Sequence, residues 1–180
     1  MSTPARPLVA VLLGTDSHRF DRLLGWVREL AWDPRIEWFA QHGSTPLPAE
    51  LRGTPFLGVA DMENLLGRAQ AVVTHGGPGL IMESRSHGHL PVVVPRDPAQ
   101  DEHVDAHQQR FVARLAAAGL CSVVDSPGAL GGAVERAIVT GRSETGRPTS
   151  ALAIQVAGLV DALVDEGRGS ARRRRHSWSR

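Results

Sequence analysis

The chain of 180 residues, 42% hydrophobic and 22% charged, is long enough for one globular domain with a sizeable core. A formal net charge of +1 argues against bulk electrostatic attraction to nucleic acid, and the single cysteine, Cys121, excludes an internal disulfide. Because neither a signal peptide nor an apolar run long enough to span a bilayer is found, we expect a cytoplasmic protein. Residues 1–166 are predicted to form the domain, and the arginine-rich residues 167–180 a disordered basic tail.

Short apolar runs alternate with amphipathic segments along the chain. Strands are predicted where an apolar run is bounded by turn-forming residues, at 7–13, 36–41, 56–59, 71–74, 90–94 and 120–124. Helices are predicted to follow them, beginning at Asp16 or Ser17, Asp61, the glycine-rich turn at 76–79, His103 and Ser126, with a last helix at 151–165. The polar segment 95–102 is expected to be mobile.

This alternation predicts a doubly wound, Rossmann-like α/β domain with a parallel sheet of about six strands. Such sheets bind ligands beyond the carboxyl ends of their strands, at the point where the strand order reverses. In a Rossmann-like order the first and fourth strands flank that crevice. The turns at Gly14-Thr15 and at His75-Gly76-Gly77 would then face one site, where we expect a nucleotide-type ligand.

The stretch from Val72 to Glu83 has the features of a phosphate-binding corner. An apolar strand breaks into a turn with three glycines, at 76, 77 and 79, whose backbone can approach a ligand closely. The first amides of the following helix lack internal partners and lie at the positive end of its dipole, which favours an anion such as a diphosphate. Glu83 is placed to accept hydrogen bonds from two sugar hydroxyls. Glycine-rich turns of this kind also occur where nothing binds.

Two other functions fit the turn less well. The dinucleotide fingerprint G-x-G-x-x-G is only half present, because Met82 occupies the place of its third glycine. The next strand ends in Pro95-Arg96, without an acidic residue for a ribose. A His-Gly-Gly opening also resembles the oxyanion loop of esterases, but the chain has no G-x-S-x-G elbow. NAD binding and esterase activity are therefore not expected.

Three motifs resemble a known family. The residues His75-x-Gly77 to Glu83, Gly88-x-x-Pro91 to Pro95 and Asp105-x-His107-Gln108 are similar to the nucleotide-sugar half of GT-B glycosyltransferases, specifically to the family 28 C-terminal domain. The likeness is greatest to stand-alone versions of that half, in two-part dolichol-linked N-acetylglucosaminyltransferases and bacterial exopolysaccharide glycosyltransferases. It extends from about Val9 to Leu130 and implies a single GT-B half-domain.

The resemblance implies a role for each matching residue. Glu83 matches the glutamate that holds the ribose hydroxyls of UDP, and Asp105 and Gln108 match residues that hold hydroxyls of the transferred sugar. The segments 36–42 and 59–62 match the walls of the uracil pocket. The turn around the diphosphate is matched by His75, Gly76, Gly77 and Gly79. The first-strand loop that closes over the phosphates is matched by Gly14 and Thr15.

The chemistry implied is metal-independent transfer from a UDP-sugar substrate. Helix-terminal amides can stabilise the leaving diphosphate, and no D-x-D run is present to hold a divalent metal, so no cofactor is expected. His103 and His107 are four residues apart on a predicted helix and could bind a metal. The alternative is a polar, solvated junction between loop and helix without a metal. No persuasive general base for the acceptor is found; His75 is a candidate, and a positioning hydrogen bond is its alternative role.

Two functions stay open. The first is the catalytic, donor-binding subunit of an inverting UDP-sugar glycosyltransferase that acts on a lipid-linked glycan or exopolysaccharide precursor. In two-domain relatives the acceptor site and usually the base belong to an N-terminal domain. A membrane-anchored, acceptor-binding partner subunit would therefore hold this chain peripherally at the inner face of the membrane. The second is a non-catalytic nucleotide-sugar-binding subunit that regulates or scaffolds a partner. It is favoured by the absent base and by Leu80, where many relatives have serine or threonine.

Overall fold

The computed structural model describes residues 6–104, 107–143 and Gly158; of His107 only the backbone is described. The chain divides into two compact units, Met1–Arg147 and Pro148–Arg180, and in the second unit the description is limited to the helical Gly158. Apart from Gly158, the helix expected at 151–165 lies outside the described residues, as does the tail expected at 167–180, so the domain boundary at 166 stays a prediction. Within the described part of the chain, no helix is long and apolar enough to cross a membrane.

The first unit contains a six-stranded parallel sheet. Its strands are β1 (Leu8–Leu12), β2 (Glu37–Gln41), β3 (Arg52–Thr54), β4 (Ala71–Thr74), β5 (Val92–Val93) and β6 (Ser122–Val123). The helices are α1 (Asp21–Leu30), α2 (Val59–Arg68), α3 (Pro78–Ser86), α4 (His107–Ala117) and α5 (Pro127–Thr140), with a short 3-10 helix at Pro98–Gln100. The order β3-β2-β1-β4-β5-β6 confirms the doubly wound α/β fold and puts the reversal between β1 and β4.

The two central strands are buried along their whole length. Every residue of β1 and of β4 is buried, as expected for a parallel sheet covered on both faces. Alternate residues of β1 therefore enter different cores: Val9 and Val11 pack with α1 and α5, whereas Ala10 and Leu12 pack with α2. The carboxyl ends of these strands are thus held in fixed positions from both sides.

The third strand lies at Arg52–Thr54, and the prediction at 56–59 is wrong. Gly53 lets this strand approach β2 closely, since a Cβ at this position would overlap the Ala40 carbonyl oxygen. A three-residue edge strand with an arginine and a glycine carries no apolar pattern, which is why the sequence does not reveal it. Val59 instead begins α2 and is 79% exposed.

Helix α1 begins at Asp21, so neither Asp16 nor Ser17 caps it as expected. The Asp16 carboxylate instead accepts a hydrogen bond from the His18 amide at 2.7 Å. The chain stays in a loop as far as Phe20, whose amide donates to the Thr45 hydroxyl at 2.9 Å. Asp61 likewise lies inside the first turn of α2 and is not its cap.

The polar segment 95–102, expected to be mobile, is tied to α1. Arg22 donates to both carboxylate oxygens of Glu102, at 2.9 and 2.6 Å, and to the Pro95 carbonyl at 2.8 Å. The Glu102 side chain is only 5% exposed and also accepts from the Asp97 amide. Because the two partners are 80 residues apart, no local pattern announces this ion pair.

Candidate functional site

A cavity of about 450 Å³ opens at the carboxyl ends of β1 and β4, where the strand order reverses. One wall is the first loop (residues 13–20), and the opposite wall is the glycine turn (residues 75–79) with the start of α3. The volume lies in the range of small-molecule sites. The residues lining it are Gly14, Thr15, Asp16, Gln41, Phe56, Leu57, Met62, His75, Gly77, Gly79 and Leu80.

The His75 side chain, from the glycine turn, reaches the first loop and packs against Gly14 and Gly77. A Cβ at Gly14 would lie 2.8 Å from its Nε2, and a Cβ at Gly77 would overlap its Cε1. Its Nδ1 accepts a hydrogen bond from the Gly77 amide at 3.1 Å, which requires the neutral ring with the proton on Nε2. Burial, together with the charge of Arg96, lowers the pKa of His75 to about 4. At neutral pH the His75 ring is therefore uncharged, and it stabilises the glycine turn by packing and by its hydrogen bond with Gly77.

Gln108, on α4, approaches the same ring. Its side-chain Oε1 lies 3.5 Å from Nδ1 of His75. Because Nδ1 carries no proton when it accepts from the Gly77 amide, the Gln108 oxygen packs against the ring and accepts no hydrogen bond from it. Gly76 lets α4 pack close to the turn, because a Cβ there would lie 2.8 Å from a Val112 methyl and 3.3 Å from Gln108.

The start of α3 is open towards the cavity. Gly77 is its N-cap residue, Pro78 occupies the first helical position, and no side chain caps the helix. The first-turn amides of such a helix lack internal partners and carry the positive end of its dipole. An anion in the cavity would meet these amides on one side and the first loop on the other.

The sequence-predicted site residues occupy three kinds of position. Gly14, Thr15, His75, Gly77 and Gly79 line the cavity together. Glu83, Gly76 and Gln108 lie beside it without lining it, and Asp105 lies outside the described residues.

Glu83 is in the second turn of α3, and its carboxylate is 44% exposed, 3.8 Å from Nδ1 of His87. A rise of 1.5 Å per residue places its Cα roughly 7 Å along the helix from Pro78. The ribose role expected for Glu83 stays a prediction.

Gln41 is a site residue that the sequence analysis missed. It ends β2 and is buried, and its Oε1 accepts from the Gly14 amide while Nε2 donates to the Gly14 carbonyl, both at 2.9 Å. Nε2 also donates to the Pro55 carbonyl at 2.9 Å. A polar residue in the last position of an otherwise apolar strand, at the carboxyl end of the sheet, is the signal that could have revealed it.

Arg96 is the second missed residue. It directly follows β5 and Val94-Pro95, and it is the largest fully buried side chain of the described residues, at 1% exposure. Its guanidinium donates to main-chain carbonyls of the first loop. The sequence shows an arginine at the carboxyl end of a buried strand, next to the predicted crevice, without any indication of its partner.

Asp16 is shared between two histidines from different loops. Its carboxylate lies 2.7 Å from Nδ1 of His18 and 3.8 Å from Nε2 of His103. Burial raises the pKa of Asp16, but hydrogen bonds from His18 and the charge of Arg96 outweigh it and hold the pKa below its ordinary value. In the residues that the structure describes, no group of three or more His, Cys, Asp or Glu side chains is arranged to hold a metal ion.

Several solved structures share this fold. The calicheamicin glycosyltransferase CalG4 is 21% identical with a TM-score of 0.50, over 92% of this chain and 40% of that chain. MurG of Acinetobacter baumannii is 15% identical with a TM-score of 0.52, over 81% of this chain and 51% of that one. ALG13 is 15% identical with a TM-score of 0.53, over 88% of this chain and 97% of that one.

These identities establish a shared fold, and the chain spans about two fifths of the length of the first matched structures. No curated protein matches the chain. Residues 40–144, more than half of the chain, match the model of the glycosyltransferase family 28 C-terminal domain. The matched range contains the glycine turn, α3 and Gln41, all placed around one cavity. The protein therefore belongs to the glycosyltransferase family 28 C-terminal domain family.

Proposed function

We propose that this chain binds the UDP-sugar donor as the catalytic subunit of an inverting glycosyltransferase that acts on a lipid-linked glycan or exopolysaccharide precursor. The observation that carries the proposal is the cavity between the first loop and the open start of α3. Residues of the first loop, Thr15 and Asp16, and of the first turn of α3, Gly79 and Leu80, line it from two sides, and main-chain amides in such positions bind phosphate oxygens. A diphosphate is the part of the donor that this cavity suits.

The rest of the cavity suits a nucleoside. Phe56, Leu57, Met62 and Leu80 give it an apolar wall on the α2 side, where the flat face of a base can pack. This wall lies next to the segments 36–42 and 59–62 that the family resemblance assigns to the uracil pocket. Glu83, further along α3, would then accept hydrogen bonds from the ribose hydroxyls.

In the transfer step the acceptor oxygen forms a bond to the anomeric carbon of the sugar while the bond from that carbon to the diphosphate breaks. UDP leaves with the negative charge, which the amides of α3 and the first loop stabilise. The acceptor proton needs a base. With a pKa of about 4, His75 is a weak base at neutral pH, which favours its positioning role.

We assign the base and the acceptor site to a membrane-anchored partner subunit, because in two-domain relatives the acceptor site and usually the base belong to an N-terminal domain. The partner would also bring this chain to the inner face of the membrane. Transfer from UDP-sugars, assayed with and without membranes that contain the partner, tests this assignment. Transfer at the full rate by the purified chain alone would contradict it.

Replacing Glu83 by glutamine should weaken UDP binding about tenfold, because charge-assisted hydrogen bonds to the ribose hydroxyls are lost. The sharper readout is selectivity: the wild type should prefer UDP to 2′-deoxy-UDP, and the Glu83→Gln variant should lose much of that preference. Isothermal titration calorimetry with both ligands measures it.

The matched control for this prediction is Glu63→Gln, which changes an exposed carboxylate on α2. It should leave both affinities unchanged. An undiminished preference for the ribonucleotide in Glu83→Gln would remove Glu83 from the ribose site.

A non-catalytic nucleotide-sugar-binding subunit is the second candidate function. The observation in its favour is that Leu80, at the start of α3, presents an apolar side chain to the cavity where a hydroxyl could have met phosphate. Such a subunit would bind UDP-sugars but would support no transfer with any partner. Normal UDP binding together with no transfer in membranes that hold the partner would favour it.

A further inference from the structure

The buried guanidinium of Arg96 gathers main-chain carbonyls from two loops. Nη1 donates to the carbonyls of His18 at 2.9 Å, Arg19 at 3.4 Å and Glu102 at 3.0 Å, and Nη2 donates to the Leu13 carbonyl at 3.1 Å. The group also packs on the Phe20 ring, with Cζ 4.8 Å from the ring centroid. Three of its four acceptors belong to the first loop.

Other side chains hold the remaining carbonyls of that loop. Gln41 donates to the Gly14 carbonyl, and the Ser44 hydroxyl lies 3.1 and 3.0 Å from the carbonyls of Asp16 and Ser17. The Phe20 carbonyl accepts from α1. The Asp16 and Ser17 carbonyls share the one proton of the Ser44 hydroxyl. Within residues 13–20, every carbonyl except that of Thr15 therefore lies within hydrogen-bond distance of a donor of the protein.

The amides of the loop are arranged differently. Those of Thr15, Asp16 and Ser17 have no hydrogen-bond partner among the residues that the structure describes. Thr15 and Asp16 line the cavity. Consecutive main-chain amides without partners, in a loop whose carbonyls are held elsewhere, are a favourable site for an anion.

Arg96 also contributes charge. Within the described ranges it makes no direct ion pair with a carboxylate, and its Nε has no hydrogen-bond partner. Burial lowers the pKa of this guanidinium, while Asp16 and Glu102 oppose that effect from a distance. An arginine stays protonated at neutral pH. The buried positive charge of Arg96 therefore offsets the negative charge of the Asp16 carboxylate at the cavity wall.

We propose that Arg96 is a positioning residue for the donor: by holding the carbonyls of Leu13, His18 and Arg19, it turns the first loop into an amide cradle for the diphosphate. This inference rests on the proposed function, because it assigns the phosphate half of the same site. Arg96 acts through the loop and makes no contact with the donor itself. Its effect should therefore depend on the phosphates and not on the nucleoside.

The experiment compares UDP with uridine in the full chain. Arg96→Met keeps the length of the side chain but removes its donors and its charge. We expect UDP to bind about tenfold or more weakly, because several charge-assisted interactions are lost, whereas uridine affinity should change less than about threefold. Arg96→Lys keeps the charge but reaches fewer carbonyls and should restore part of the UDP affinity.

Arg22→Met is the matched control. Arg22 also packs on Phe20, at 5.3 Å, and is paired with the buried Glu102, but it donates to no carbonyl of the first loop. Its replacement should lower the melting temperature and leave the ratio of UDP to uridine affinity unchanged. An equal loss of both ligands in Arg96→Met, or a selective loss of UDP in Arg22→Met, would overturn the proposal.

A measurement on the wild type covers the case in which the Arg96 variants fail to fold. UDP should shift the amide resonances of Thr15, Asp16 and Ser17 in a nitrogen–proton correlation spectrum, and uridine should not. If UDP binds without moving these resonances, the amide cradle does not exist. If the wild type binds neither ligand, it is the proposed function that fails.

Discussion

Replacing Gly77 by alanine should lower the free energy of unfolding by about 3 kcal/mol and weaken UDP binding about a hundredfold. The backbone of Gly77 is extended, with φ −72° and ψ 129°, so the cause is not conformational strain. The new methyl group would overlap Cε1 of His75 and lie 2.8 Å from its Nε2. The ring cannot retreat, because Gly14 lies against it on the other side. Urea unfolding and calorimetric titration with UDP measure the two effects.

Gly79→Ala is the matched control for stability, since an added Cβ at Gly79 meets nothing within 4 Å. It should change the unfolding free energy by no more than about 1 kcal/mol. The double variant Gly77→Ala with His75→Ala should be more stable than the sum of the single changes predicts, because removing the ring makes room for the methyl group. Strictly additive effects would show that the clash with His75 is not the cause.

The stability of the protein should fall as the pH is lowered from about 6.5 to about 4. The ordinary pKa of a histidine is 6.5, and burial lowers that of His75 to about 4. Between these pH values His75 is protonated in the unfolded chain and neutral in the folded chain. The free energy of unfolding therefore rises with pH through this window, and the contribution of His75 is complete above it. The expected loss at pH 5, relative to pH 7.5, is about 2 kcal/mol.

His75→Asn isolates this contribution. An asparagine oxygen can take the place of Nδ1 as the acceptor for the Gly77 amide, and the side chain does not titrate. The loss between pH 7.5 and pH 5, measured by urea unfolding, should be about 2 kcal/mol smaller in the variant. His89, whose pKa burial also lowers, contributes equally to both proteins and cancels. An unchanged pH dependence in the variant would mean that His75 does not carry it.

Local features of the sequence predict most of the frame. β1 and β4 are recognisable because central strands of a parallel sheet are apolar at every position. The glycine turn is recognisable because an apolar strand, three glycines and a helix follow one another within about a dozen residues. The crevice between β1 and β4 follows from the alternation of strands and helices, since connections in such sheets are right-handed and short. Sequence patterns alone therefore place Gly14, Thr15, His75, Gly77 and Gly79 in one site.

Only the tertiary structure decided how that site is held together. Arg96 meets the Leu13 carbonyl 83 residues away, Arg22 meets Glu102 80 residues away, and Gln41 meets Gly14 27 residues away. These contacts hold the first loop and tie the segment 95–102 to α1, which the sequence analysis did not foresee. The physical reason is that apolar periodicity and turn residues report the local conformation of the chain. The partner of a buried polar group depends instead on which loops the sheet brings together, and that is settled only when the whole domain has folded.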